Sequence, residues 1–284
     1  MSSCRTWRYV TFDVTGTLVH PTKPIGETYL EFWNATSGQL FSSSRYEAAV
    51  SALTLQFHLE FRSRSHQDPN FGSTDTSNGT AFNWWRQLVL NVMKKANLAD
   101  CLAQNEEQAE RFTRDLYEHF GRPEAWKVYD DVIPTLEELA ALNIPMGIIS
   151  NFDERLESLL QALQLRDYFQ VVTASFVHGE MKPQASIFQT TFEQLHREKG
   201  QFNASTFLHV GDHPVKDFKA AKDIGAQAKL LWRTQHESPP VNIEKDQVIT
   251  TLRQLVTDNT TSTRFPAHRT TRNSISGPAA VSAE

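Results

Sequence analysis

The chain has 284 residues, 39% of them apolar and 21% charged, with a formal net charge of −5. That length allows one large domain or two smaller ones around a buried core. The acidic balance argues against a nucleic-acid partner, whose phosphates call for a basic surface, and no apolar run reaches the length that would make a membrane partner.

The segment from Met1 to Arg8 lacks the apolar core of a signal peptide and leads into the first expected strand. The two cysteines, Cys4 and Cys101, lie far apart, which predicts free thiols in a reducing, intracellular and cytoplasmic setting. In that setting the sequons at Asn34, Asn78, Asn203 and Asn259 are chance matches.

Residues 8–13 read as a buried strand whose exit is Asp13, followed by Val14-Thr15-Gly16-Thr17-Leu18. A carboxylate at the end of a buried strand can act as a nucleophile; a cap or turn residue is the ordinary alternative. Gly16 lets the loop bring backbone N–H groups close to an anion. Thr17 adds a hydroxyl for the nucleophile or for a phosphoryl group.

After Pro21 and Pro24 the pattern changes. Between residues 25 and 122 apolar side chains recur at helical spacing, among them Tyr29, Phe32 and Trp33, then Leu53, Phe57 and Phe61, then Leu88, Val92 and Met93. Three to five helices and no strand are expected there, interrupted by a polar loop with Pro69, Gly72 and Gly79. Trp84, Trp85, Arg86 and Arg62 are either packing residues or the wall of a substrate pocket.

From Val128 onward helices alternate with strands. Helices are expected over 131–142, 153–165, 184–199 and 215–223, each leading to a strand, over 144–149, 170–174, 206–210 and 227–232. That rhythm predicts an α/β fold with a parallel sheet. The strand at 8–13 joins that later sheet. Residues 1–24 and 123–256 then form a discontinuous core domain, and 25–122 an inserted helical domain. A short helix is expected near 243–256. The tail over 257–284 nearly lacks large apolar residues and is expected to be disordered; its Arg269, Arg272, Ser274 and Ser276 resemble a kinase site no more than many such tails do.

Polar groups also stand at the ends of later strands, where parallel sheets place their ligands. Ser150 and Asn151 follow one strand and either bind a phosphoryl oxygen or cap the next helix. Gly211-Asp212 ends another, and Asp217 lies about one helical turn further, so both carboxylates can face one pocket. Such hard oxygen ligands suit Mg²⁺; capping of the 215–223 helix is the alternative. Lys182, before Pro183, is either a solvated surface lysine or the compensation for this charge. Two like charges about 4 Å apart repel by roughly 4 kcal/mol at an effective dielectric near 20. The ten histidines show no metal-ligand spacing, and only His213 stands beside the acidic group.

Taken in order over roughly residues 8–232, Asp13-Val14-Thr15-Gly16-Thr17-Leu18, Ser150-Asn151, Lys182-Pro183 and Gly211-Asp212 to Asp217 resemble the motifs of the haloacid dehalogenase superfamily. The resemblance implies a Rossmann-like parallel core with a helical cap inserted between the first and second motifs. It implies Asp13 as nucleophile, with Mg²⁺ held by Asp13, the backbone carbonyl of Thr15, and Asp212. Asp217 would steady the metal's waters, Lys182 would offset charge, and Ser150 would bind the phosphoryl group.

The departure is Thr15. Family phosphatases place an Asp there as general acid and base, a contribution of roughly 10²–10⁴-fold. The P-type ion pumps of the superfamily read Asp-x-Thr-Gly-Thr and form long-lived phosphoenzymes. True haloacid dehalogenases lack the Gly-Asp-x-x-x-x-Asp motif, so Asp212 and Asp217 weigh against dehalogenation. The expectation is a slow Mg²⁺-dependent phosphohydrolase acting on a small phosphorylated metabolite through an aspartyl-phosphate. The rival expectation is a catalytically retired protein of the same fold that binds a ligand or a partner.

Overall fold

The computed structural model describes residues 6–38, 43–73, 80–98, 105–196, 202–233, 239–240 and 242–256. Cys4, Cys101, Asn78, Gly79, Asn259 and the tail expected to be disordered lie outside the described residues.

The strands are β1 (Tyr9–Phe12), β2 (Val19–Pro21), β3 (Trp126–Val128), β4 (Met146–Ser150), β5 (Val171–Ala174), β6 (Phe207–Gly211), β7 (Gln227–Leu231) and β8 (Val248–Ile249). Six of them form one sheet in the order β5-β4-β1-β6-β7-β8, parallel at every pairing. The first strand of the chain therefore sits inside the sheet built by the later ones. β1, β4 and β6 are buried along their whole length, as strands covered on both faces must be. Order reverses at β1: β4 and β5 run off one side, β6 and β7 off the other. A crevice opens at the carboxyl ends of the strands at such a switch point. Two apolar layers cover the sheet. One gathers Phe12, Leu136, Ile148, Leu159 and Val210; the other gathers Ile149, Phe188, Phe192, Phe207 and Leu230.

Between β2 and β3 the described chain is helical: α1 (Ile25–Ser37), α2 (Ser43–Gln67), α3 (Phe82–Lys95) and α4 (Glu106–His119). These helices enclose an apolar cluster of their own with Trp33, Leu53, Trp84, Leu88 and Phe112. The two chain crossings between sheet and helices lie side by side. β2 pairs with β3 in antiparallel register, and just beyond it the Thr22 N–H donates to the Ala125 carbonyl at 2.9 Å. This ribbon escapes pattern reading because its strands are three residues long and one ends in proline.

The remaining helices are α5 (Val132–Ala141), α6 (Leu156–Ala162), α7 (Ser175–His178), α8 (Ala185–Leu195) and α9 (Ala220–Asp223). Three expectations need correction. The helix expected near 243–256 is a turn at Lys245–Gln247 followed by β8, which pairs with Leu230 and Leu231, and a short helical turn at 254–256. Ile249, Leu252, Leu255 and Val256 are buried, brought to the core by a strand and a bend. The helix expected from 153 starts at Leu156, because Asp153, Glu154 and Arg155 are engaged elsewhere. The helix expected from 215 opens with a wide turn over Pro214–Lys219 before α9. Its cap is His213, whose Nδ1 accepts from the N–H groups of Val215 and Lys216, so the alternative role weighed for the aspartates falls to the histidine.

Candidate active site

Asp13, Ser150 and Asp212 leave the carboxyl ends of β1, β4 and β6, three neighbouring strands at the switch point. Asp13 Oδ1 accepts from Ser150 Oγ at 3.0 Å and from Lys182 Nζ at 2.7 Å. Among the described residues nothing donates to Asp13 Oδ2. The nucleophile candidate is thus oriented through one oxygen while the other is left for chemistry.

Lys182 is no surface residue; it is 2% exposed. Its three ammonium hydrogens are matched by Asp13 Oδ1, Asp217 Oδ1 at 2.6 Å and the Ile149 carbonyl at 2.8 Å. Burial alone would lower its pKa, but Asp13 and Asp217 outweigh burial and hold it above the ordinary lysine value. Asn151 fixes the backbone there: its Oδ1 accepts from the Lys182 N–H and its Nδ2 donates to the Lys182 carbonyl. Neither Ser150 nor Asn151 caps α6, whose cap position is Arg155.

Asp217 is enclosed by protein donors. Oδ1 takes Lys182 and His209 Nε2, and Oδ2 takes the His213 N–H at 3.0 Å. Burial pushes its carboxyl up, yet Lys182 and His209 dominate and hold it below the usual carboxylate range. His209 is wholly buried, and that burial lowers its pKa and keeps the ring neutral. A carboxylate only accepts, so His209 Nε2 carries the proton and Nδ1 accepts from the Thr11 hydroxyl at 2.9 Å. Sequence reading missed His209; a polar residue inside the otherwise apolar run of β6 is the signal it left.

Asp212 is partly exposed, and its carboxyl is pushed up to about 7 by burial, then by the charges of Asp13 and Asp217. Oxygens of Asp13, Asp212 and Asp217 lie within 4.8 Å of one another. The turn before them makes the room: Gly16 has φ +82°, and a Cβ there would stand 2.1 Å from Asp212 Oδ2. Three carboxylates against one ammonium leave net negative charge on hard oxygens, a donor set that fits a divalent cation.

Thr15 is exposed at the mouth of the site. Thr17 is buried, its Oγ1 finds no hydrogen-bond partner among the described residues, and its carbonyl accepts from Arg233. Thr17 is not among the residues that line the cavity above Asp13.

That cavity measures about 450 Å³ and is lined by Asp13, Thr15, Ser150, Asn151, Lys182, Asp212, His213 and Asp217 on the sheet side and by helical residues opposite. Of the four residues weighed as a pocket wall, Trp85 lines it. Trp84 turns its Nε1 to the Asp68 carbonyl, Arg86 pairs with Glu106 and Glu110, and Arg62 is exposed away from the cavity. The segment after Ser150 grips the helical unit. Asp153 accepts from Trp85 Nε1 at 2.8 Å and pairs with Arg155. Arg155 donates to the Tyr117 carbonyl, and Glu154 accepts from the Tyr117 hydroxyl and the Ala81 N–H. Three charged residues in a row at a strand end were the available signal for this grip.

Comparison with known proteins gives a consistent picture. The haloacid dehalogenase-like hydrolase pattern matches residues 7–225. Haloacid dehalogenase-like hydrolase domain-containing protein 3 of Homo sapiens is 31% identical over 252 residues, covering 88% of this chain and 92% of the relative. A HAD phosphatase from Thermococcus onnurineus aligns with a TM-score of 0.54 at 24% identity, over 87% of this chain and 95% of its own. L-2-haloacid dehalogenase from Xanthobacter autotrophicus aligns with a TM-score of 0.59 at 16% identity, over 88% and 96%. At such identities the two structures speak for the fold alone.

Proposed function

The chain belongs to the haloacid dehalogenase-like hydrolase family, and from that premise we propose that it is a slow Mg²⁺-dependent phosphohydrolase of small phosphorylated metabolites. The observation that carries the reading is the state of Asp13: one oxygen held by Ser150 and Lys182, the other unengaged by described protein donors in a cavity roomy enough for a metabolite. Asp13, the Thr15 carbonyl and Asp212 would hold the Mg²⁺, with Asp217 behind them. When bound, the ion supplies charge neutralisation for the phosphoryl oxygens.

Asp13 attacks phosphorus; its Oδ–P bond forms as the ester P–O bond breaks. Lys182, 2.7 Å from Asp13 Oδ1, balances the incoming dianion. Ser150 Oγ, 3.0 Å from Asp13, would turn its one hydrogen from Asp13 to a phosphoryl oxygen once the phosphate is in place. Water then attacks phosphorus, the Asp13–P bond breaks, and inorganic phosphate leaves with Asp13 restored. Both halves need a proton carrier beside Asp13. Thr15 offers a hydroxyl whose pKa is far above neutrality, so the leaving group must take its proton from solvent and the acyl-phosphate lasts.

Thr15→Asp tests the reading. Phosphate release from aryl phosphates should rise by one or more orders of magnitude, within the roughly 10²–10⁴-fold of general acid–base help, and adding Asp13→Asn should abolish it. A Thr15→Asp protein that binds Mg²⁺ yet stays inactive on a broad panel, with no acid-trapped phosphoenzyme in wild type, would favour the binding-protein alternative.

A further inference from the structure

The cap side of the cavity differs sharply from the sheet side. Phe57, Phe61, Trp85 and Phe71 form a continuous run of near-parallel rings. Interplanar angles along it are 27°, 35° and 23°, and centroids are 5.8, 5.9 and 5.7 Å apart. All four line the cavity. His58 and Ser65 line this side as well; its other polar groups are few and already engaged. Asp153 and Arg155 satisfy each other, Tyr117 bonds Glu154, and the Thr113 hydroxyl bonds the Ala109 carbonyl.

One polar atom is left over. Asn70, 7% exposed, stands in the cavity wall beside Phe71. Its Nδ2 donates to the Ser175 carbonyl and to Ser73 Oγ, both at 2.9 Å. A carbonyl can only accept, so the amide cannot be flipped, and Oδ1 remains buried with no partner among the described residues. Asn70 and Phe71 both hold positive φ, 51° and 57°. Backbone of this kind persists where the surroundings enforce it, and it gathers at ligand sites. Here it carries a ring to the wall and sets a bare acceptor just behind the wall's surface.

We infer that this half of the cavity takes a planar aromatic body bearing an N–H or O–H donor, so that the substrate class is a phosphate monoester of an aromatic or heteroaromatic alcohol. This deepens the phosphohydrolase reading and rests on it for the phosphoryl end. The aromatic run extends by one ring when a planar ligand lies on it, and Asn70 Oδ1 gains the donor it lacks. A sugar phosphate would instead set most of its hydroxyls against a wall made chiefly of rings, where a hydroxyl loses the bonds it makes in water. A second phosphate does not find the Arg155 guanidinium free on this side, since it is engaged by Asp153 and the Tyr117 carbonyl.

The test measures binding and turnover separately. Calorimetry on full-length Asp13→Asn protein, with Mg²⁺ present, compares indoxyl phosphate, naphthyl phosphate and glucose phosphate. Binding should weaken in that order. Asn70→Gly, which tolerates positive φ, should erase the preference for indoxyl over naphthyl phosphate, about three- to ten-fold for one hydrogen bond. Phe61→Leu, which breaks no hydrogen bond, should weaken both aryl ligands by about two- to ten-fold and leave glucose phosphate unchanged. Glucose phosphate binding as tightly as the aryl phosphates overturns the inference, as does an order that neither wall variant alters. Turnover is read on protein with Asp13 intact. Absence of phosphate release there, with the binding order preserved, would remove the phosphohydrolase reading and leave the aromatic site standing.

Discussion

Removing the Lys182 ammonium would leave Asp13 and Asp217 facing each other in a buried site with nothing between them. Breaking one partner out of a buried ion cluster costs about 3–5 kcal/mol, so Lys182→Met should lower stability in urea by that order without metal. Mg²⁺ should restore part of the loss. A variant as stable as wild type in chelator would sink this account of the buried ion cluster. Asp13, Ser150 and Asp212 were legible because each stands at a strand end, and Lys182 and Asp217 because they follow in a recurring order. Their roles divide in ways the letters do not reveal. Asn151 spends its amide on the Lys182 backbone, and His209 holds Asp217 from behind. Asn70 was not legible at all: an asparagine in a polar loop reads as a turn residue, and only the carbonyl of Ser175, far along the chain, singles out its oxygen.

Among elements, the alternation of helix and strand was readable because the buried strands of a parallel sheet are continuous apolar runs. The β2–β3 ribbon and β8 were not, since two or three residues hold no periodicity. What fixes the β8 edge is a polar knot around Asp131, at the start of α5. Its Oδ2 accepts from Arg233, the Thr251 hydroxyl and the Leu252 N–H, while Arg233 also reaches the Thr17 carbonyl. Burial pushes the Asp131 carboxyl up, but these donors outweigh burial and hold it below its ordinary value. A carboxyl lowered in the folded state binds its proton more readily when unfolded. Its stabilisation is therefore present above an ordinary carboxylate pKa of about 4 and fades as pH falls through the lowered value. Asp131→Asn should flatten that acid limb in thermal melts and lower the neutral-pH midpoint by a few degrees. An unchanged acid limb would assign the acid sensitivity to other carboxylates.

For the whole molecule, an acidic cluster that takes up Mg²⁺ would link folding to metal binding. Mg²⁺ at about a hundred-fold excess over its Kd adds about 2.7 kcal/mol to the folded state, a rise in Tm on the order of 5 °C for a chain this long. Asp212→Asn should lose that rise while remaining folded; an equal rise in wild type and variant would place the ion elsewhere. No described helix is long and apolar enough to cross a membrane, and the parallel core with its helical insertion follows from the order of patterns alone. The fit of the two parts was hidden, because Trp85, Tyr117 and the segment Asp153 to Arg155 meet only in space.

The hydrogen bond between Thr22 and Ala125 has a consequence of a different kind. Everything between those two residues enters and leaves the host at a single point, with its ends already in register. Closing so long an excursion adds little entropy beyond closing a short one, because the penalty grows only with the logarithm of length. The ribbon therefore acts as a socket. A change in the length of the insert would leave the paired ends of β2 and β3 where they are, while contacts such as those of Asp153, Glu154 and Arg155 with the helices would have to be remade.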